Sequence, residues 1–234
     1  MTDQEKIAAK LAECPTLAVG IGSYTEPCTI AAINIALTGK LTDETPDCAS
    51  PVICSWVRKV QDNCPPNLGR DNPSWRFAVP MIAGTRKWRD EDGQRLTIIL
   101  KWMWDAIGDN DISEFIPDHA RVKWNKMLRD KTSAAAFDAS YALSKIDSQE
   151  SNIIALAIVD AGDAVNYAIA SGDDTNEPNY SMLCANEAAL KAAKAVVVAA
   201  RYASYHVATS DNIFVNPYWE RRDLPNMLQK LCSV

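Results

Sequence analysis

Histidine is nearly absent from this chain: His119 and His206 are the only two among 234 residues. That scarcity removes most imidazole chemistry, because serine and cysteine nucleophiles usually take their base, and metal sites often their ligands, from histidine. The strings that mark such sites are missing as well. There is no G-x-S-x-G, no H-E-x-x-H, no Glu-x-x-His pair for a di-metal bundle and no C-x-x-C. Positive charge is also short. Lys and Arg number 24 against 30 Asp and Glu, for a net charge of −6, which argues against nonspecific nucleic-acid binding. No run approaches the ~20 apolar residues of a membrane span. The first residues, MTDQEKIAAKLAE, lack the basic region and apolar core of a signal peptide. A cytoplasmic protein without membrane contact is the expectation.

What the chain has instead is helical pattern. Residues 25 to 63 read as a helix, an acidic loop and a second helix. The first helix, with Ile30, Ala31, Ala32, Ile33, Ile35, Ala36 and Leu37, is apolar almost all round, the signature of burial on every side. Thr25 is expected to cap it, Pro27 to sit in its first turn and Gly39 to end it. The second opens with Ser50-Pro51 and carries the stripe Val52, Ile53, Trp56, Val57 and Val60. Ser55, Arg58, Lys59, Gln61 and Asp62 read as its wet face.

The strings IALTGKLTDETPDCASPVICSW, VQDNCP, NPSWRFAVPMIAGT and LTIILKWMWD resemble an uncharacterised family of bacterial and phage proteins. Its members join such an N-terminal half to an alanine-rich helical half. The resemblance covers residues 28 to 107. It implies a cytoplasmic protein of phage or mobile-element type and supplies no catalytic residues.

Further helices are expected at 3–13, from Asn72-Pro73 to Pro80, at 94–107 and from Pro117 through Leu128. The helix at 94–107 carries the stripe Leu96, Ile99, Leu100, Met103, Trp104 and Ile107, with a Lys101–Asp105 pair outside. The helix after Pro117 has an apolar side, Val122, Trp124, Met127 and Leu128, and a basic face. From Ser133 alanine dominates, and helices are read near 133–147, 150–170 and 180–209. Their small stripes suit close packing. A last short helix is capped by Asp223, with Phe214, Tyr218 and Trp219 anchoring the loop before it. The fold class is all-α, a compact multi-helix bundle, read either as one domain or as two packed halves at 1–132 and 133–234.

Candidate sites are few. Gly20-Ile-Gly22-Ser23 lacks the third glycine and the lysine of a phosphate loop and reads as a plain turn. Seven cysteines without paired spacing read as buried, reduced thiols more readily than as zinc ligands. Cys48 or Cys54, near a helix start, would have a lowered pKa if reactive. Asp43, Glu44 and Asp47 are oxygen-rich but fail the EF-hand pattern. His119 reads as a capping or surface residue. Arg86, Lys87 and Arg89 around Trp88 can grip an anion, although a solvated loop whose Trp88 folds back onto the core explains them more readily. Between Asp138 and Glu187 nine acids face one base, Lys145. Asp147, Glu150, Asp160, Asp163, Asp173 and Asp174 are therefore the candidate contacts for a partner protein with a basic surface. The reading is a non-enzymatic interaction module without cofactor, of a kind that binds and modulates a host protein. The alternative is a small enzyme or nucleotide-binding protein built on the loop at 84–93.

Overall fold

The computed structural model describes residues 1–86, 89–114, 116–145, 149–173, 177–207 and 217–234. The regular elements of the described residues are all helices, with no strand and one isolated antiparallel bridge between Gly22 and Pro27. The all-α expectation holds. The chain divides into two compact units, Met1–Arg95 with Arg222–Val234, and Leu96–Arg221. The expected boundary near residue 132 is not where the division falls. The helices on either side of that point pack on each other within the second unit.

The first unit starts with α1 (Asp3–Glu13). Thr2 and Glu5 close a reciprocal capping box, Thr2 Oγ1 accepting from the Glu5 amide and Glu5 Oε2 from the Thr2 amide. Ile7 and Leu11 turn its buried side toward α2 (Thr29–Thr38). In α2, Thr29 to Asn34 are all buried, whereas Ile35, Ala36 and Leu37 are half-buried, so the expected burial on every side holds for the first turns only. Burying an isoleucine such as Ile30 or Ile33 contributes about 1.5–3 kcal/mol. Gly39 ends α2 with φ 74°, but Thr25 does not cap it. The cap is Cys28, whose Sγ accepts from the Ala31 amide at 3.3 Å. Thr25 instead bonds Ser23 in the preceding turn.

In α3 (Pro51–Gln61) Ser50 caps and Pro51 opens the helix as expected. Its dry face is wider than the apolar stripe. Ser55 and Gln61 are buried, not wet. Gln61 Oε1 accepts from the Thr29 amide at 3.0 Å, and Trp75 Nε1 donates to Thr29 Oγ1 at 3.3 Å. These bonds satisfy polar groups at the crossing of α2, α3 and α4 (Pro73–Ala78). A 3-10 turn at Val79–Ile82 follows α4. The late helix α12 (Leu224–Cys232), capped by Asp223, buries Leu224, Met227, Leu228 and Leu231 against α3, α4 and that turn.

The division falls inside α5 (Arg89–Ile107), which begins five residues before the stripe at 94–107 suggests. Asp90, Glu91 and Asp92 in its first turn suit the positive end of the helix dipole. Arg95, fully buried in the first unit, donates to Asp92 Oδ1 at 2.8 Å and to the Leu231 carbonyl at 3.1 Å.

The second unit continues through α6 (Asn110–Ser113), α7 (Asp118–Asp130), α8 (Ser133–Ser144), α9 (Gln149–Ser171), α10 (Pro178–Val207) and α11 (Pro217–Glu220). Successive helices pack α7 on α8, α8 on α9 and α9 on α10. The alanine stripes lie inside, including Ala136 and Ala139 of α8, Ala157, Ala161 and Ala164 of α9, and Ala189 and Ala193 of α10. Gly162 lets α8 come close. A Cβ there would stand 3.2 Å from the Ala136 methyl. Tyr218 and Trp219 are buried as expected, Tyr218 donating to the Ala106 carbonyl at 3.3 Å. Phe214 lies outside the described residues. Val122, expected inside, is exposed, while Trp124 and Met127 of the same helix are buried. The stretch Ser151–Ser171 is long and apolar enough, by length and composition, to cross a membrane. This corrects the expectation that no run approaches that length. The buried residues of α9 fall on one side of the helix, against its neighbours.

Candidate functional site

Among the basic side chains of the expected anion loop only Arg86 is described. Arg86 is exposed, and its Nη1 is 3.4 Å from the Asp47 carbonyl and 3.5 Å from Asp47 Oδ1, so an acid already neighbours it. Lys87 and Trp88 lie outside the described residues, as does the side chain of Arg89, whose backbone opens α5. At the glycine pair two backbone amides are already engaged. Gly20 donates to Asp62 Oδ1, and Ser23 to the Glu26 carbonyl. Gly22 is obligatory there, since φ is 73° and a Cβ would meet the Glu26 carbonyl at 2.2 Å. The pair is a turn, as expected.

The cysteines run against the idea of an activated thiol. All seven are free. Burial pushes the Cys54 thiol up to about 12 and Cys64 up to about 11, and raises Cys48 as well. Cys54 sits within α3, where desolvation outweighs the pull of nearby Arg58. The lowered pKa expected of a reactive Cys48 or Cys54 is therefore reversed. Among the described residues no group of three or more His, Cys, Asp or Glu is placed to hold a metal ion. His119 is exposed on α7.

The acidic half also changes character. Asp160 is only 4% exposed and is not a surface contact. Its carboxylate accepts from Lys191 at 3.1 Å and from Lys194 at 3.0 Å. Lys191 also reaches Asp163 at 2.9 Å, and the two carboxylates raise its pKa, Asp163 first. The sequence window of nine acids stops at Glu187, one helical turn short of Lys191 and two short of Lys194, the lysines that answer Asp160 and Asp163. Asp138 is paired too, with Lys123 of α7 at 3.5 Å. Asp173 is exposed just past the end of α9. Asp147 and Asp174 lie outside the described residues, and so does the side chain of Glu150. Partner contact through a free field at Asp160 and Asp163 is thus corrected to a paired cluster between α9 and α10.

What stands beside that cluster is apolar and was missed from the sequence. On α9, Gly162 faces α8 and Asp160 faces α10, so the stripe between them looks outward. It carries Leu156 (60% exposed), Val159 (41%), Asp163 and Tyr167 (37%). On α8, Phe137 and Tyr141 are 68% and 58% exposed, one turn apart. The α7 helix is bonded to α8 through Asp138, on the side away from Phe137, so Phe137 and Tyr141 flank the outward stripe of α9. Lys145 lies over the Tyr141 ring, 4.5 Å from its centroid. Large side chains set opposite an alanine core stripe are a legible signal. Phe137 and Tyr141 fall on the other face of α8 from Ala136, Ala139 and Leu143.

No protein-family model, no curated protein and no solved structure matches this chain.

Proposed function

We propose that this protein is a non-enzymatic interaction module, and that it holds a protein partner on the outward face of α8 and α9. The observation that carries the reading is the group Phe137, Tyr141, Leu156 and Val159, four large apolar side chains exposed on adjacent helices. Single exposed apolar residues are ordinary, but contiguous ones mark interaction sites. Aromatics on a firm helical scaffold are efficient anchors, because they bury much area at little cost in side-chain order. The paired acids supply a polar border, which shifts the expected contact away from a basic partner surface and toward an apolar one. A cytoplasmic setting and a phage or host context belong to the same proposal and rest on the sequence alone.

The test uses tagged full-length protein as bait, with and without Phe137→Glu and Leu156→Glu together. The expected result is a partner retained by the wild type and lost by the variant, while both melt at the same temperature, since exposed substitutions change stability little. Identical capture by the two baits would overturn the reading. Marked stabilisation by a nucleotide or a metal ion would favour an enzyme instead.

A further inference from the structure

We propose that the outward side of α7 is a second docking surface, and that it takes a short acidic segment of another protein carrying one large apolar side chain. The proposal is independent of the reading of α8 and α9. It concerns the basic face that the sequence shows after Pro117.

The first argument is charge. Between Asp118 and Lys131 five bases stand against two acids, a net charge of +3 in a chain whose total is −6, so the rest of the chain carries −9. The excess lies at the surface. The side chains of Lys123, Lys126 and Arg129 are 49%, 47% and 71% exposed. Asp130 answers both Lys126 and Arg129, and one carboxylate between two cations leaves positive charge over. Lys123 reaches Asp138 only at 3.5 Å. Exposed pairs of this kind are weak and yield readily to a competing carboxylate. Arg121 is engaged elsewhere, its guanidinium donating to the carbonyls of Ser113 and Ile116.

The second argument is placement. At 3.6 residues per turn, Val122, Lys126 and Arg129 fall on the side of α7 opposite the buried Ala120, Trp124 and Met127, with Lys123 at its edge. Val122 is 76% exposed among these cations. Basic side chains in a last turn answer the helix dipole. That accounts for Arg129. It does not account for Lys123 in the middle of the helix, or for a valine turned to solvent beside it.

The third argument selects the occupant. The 13 residues of α7 extend about 20 Å, at ~1.5 Å per residue. A nucleic-acid strand carries its phosphates well beyond that length and meets the negative remainder of the chain. An acidic segment of about eight residues, at ~3.3 Å each when extended, confines its charge to the cations of this one helix. Val122 adds a contact that an apolar side chain can use and a phosphate cannot.

Fluorescence anisotropy on the purified full-length protein tests this. The probe is a labelled synthetic peptide of about eight residues, glutamates around one central leucine, at about 0.15 M salt, where the Debye length is ~8 Å. A second probe has glycine in place of the leucine, and a third is a single-stranded oligonucleotide of equal charge. The leucine peptide should bind saturably with a Kd of about 100 μM or below. Lys126→Gln with Arg129→Gln should weaken it about tenfold, two exposed charge contacts at a few-fold each. Val122→Ser should weaken the leucine peptide and leave the glycine peptide unchanged, a split that a misfolded variant cannot give. Both variants should melt with the wild type, since exposed substitutions change stability little. Absence of binding by the wild type overturns the proposal, as does equal binding by the neutralised variant. Loss of the split at Val122 overturns the apolar part of the contact. Tighter binding of the oligonucleotide than of the leucine peptide overturns the acidic protein segment as occupant and assigns the surface to nucleic acid.

Discussion

At the scale of single residues, burial decides the chemistry more than residue type does. Cys54 and Cys64 have thiols raised from 9.0 to about 12 and about 11 by desolvation. The sign of the pH effect follows. Below the unfolded value of ~9 both states keep the proton, and the stabilising contribution is fully present. Between ~9 and the folded value only the unfolded chain releases it, so stability falls by about 1.4 kcal/mol per pH unit for each thiol. Urea midpoints should therefore drop between pH 8 and pH 10.5. Cys54→Ala should lower the midpoint at pH 8 through its cavity yet flatten the slope with pH. Equal slopes for wild type and variant would mean that this thiol is not held as described. A free cysteine reads from sequence as a small hydrophobe, and five of the seven are buried, with Cys48 and Cys232 half-buried. Which thiol lies deepest depends on neighbours far along the chain and was not legible. The same holds for Asp160, whose answering lysines stand 31 and 34 residues away, and for Gln61, whose amide partner Thr29 is 32 residues away.

The elements themselves were largely legible, because their signals are local. Ser50-Pro51, Asn72-Pro73 and Asp223 with Pro225 each start a helix where a side-chain oxygen can cap and a proline loses no bond. The start of α2 was misread because Thr25 is drawn into a turn closed by the Gly22–Pro27 bridge, which leaves a thiol to cap the helix. Periodicity located the stripe of α5 but not its first turns, where Arg89 to Gly93 offer no apolar marker. The sharpest test of an element lies at the α8–α9 contact. Gly162→Val would drive a branched side chain into Ala136, only 3.2 Å from where its Cβ would lie. Overpacking of this kind costs about 1–3 kcal/mol, and α8 must shift to relieve it. Ala168→Val, near the far end of the same helix and half-buried, is the control. If both variants unfold at the same denaturant concentration, the two helices do not approach as closely as the glycine allows. Ile33→Ala in α2 offers the matching test in the first unit, with an expected loss of about 2–5 kcal/mol.

At the scale of the whole molecule, the first unit is discontinuous. Its helices come from residues 1–95 and from 222–234, with the second unit inserted between them. The sequence suggested two consecutive halves, since composition shifts at residue 133, yet composition marks where alanine begins and not where the contacts divide. Removing everything after Arg221 would strip α12 and its four buried apolar side chains from α3 and α4, and would take away the Leu231 carbonyl that Arg95 uses. The truncated chain should lose the folded first unit, seen as rapid proteolysis within residues 1–95, while the alanine-rich helices stay protected. Protection of both units would show that α12 is dispensable. The same layout sets a delay during synthesis. A ribosome adding about 5–20 residues per second needs on the order of ten seconds to travel from Arg95 to α12. Through that interval the apolar side chains of α2 and α3 are already made, while the helix that closes over their neighbours is still unwritten. The nascent chain must therefore keep α2 and α3 from aggregating until α12 has been made, a wait set by the speed of translation.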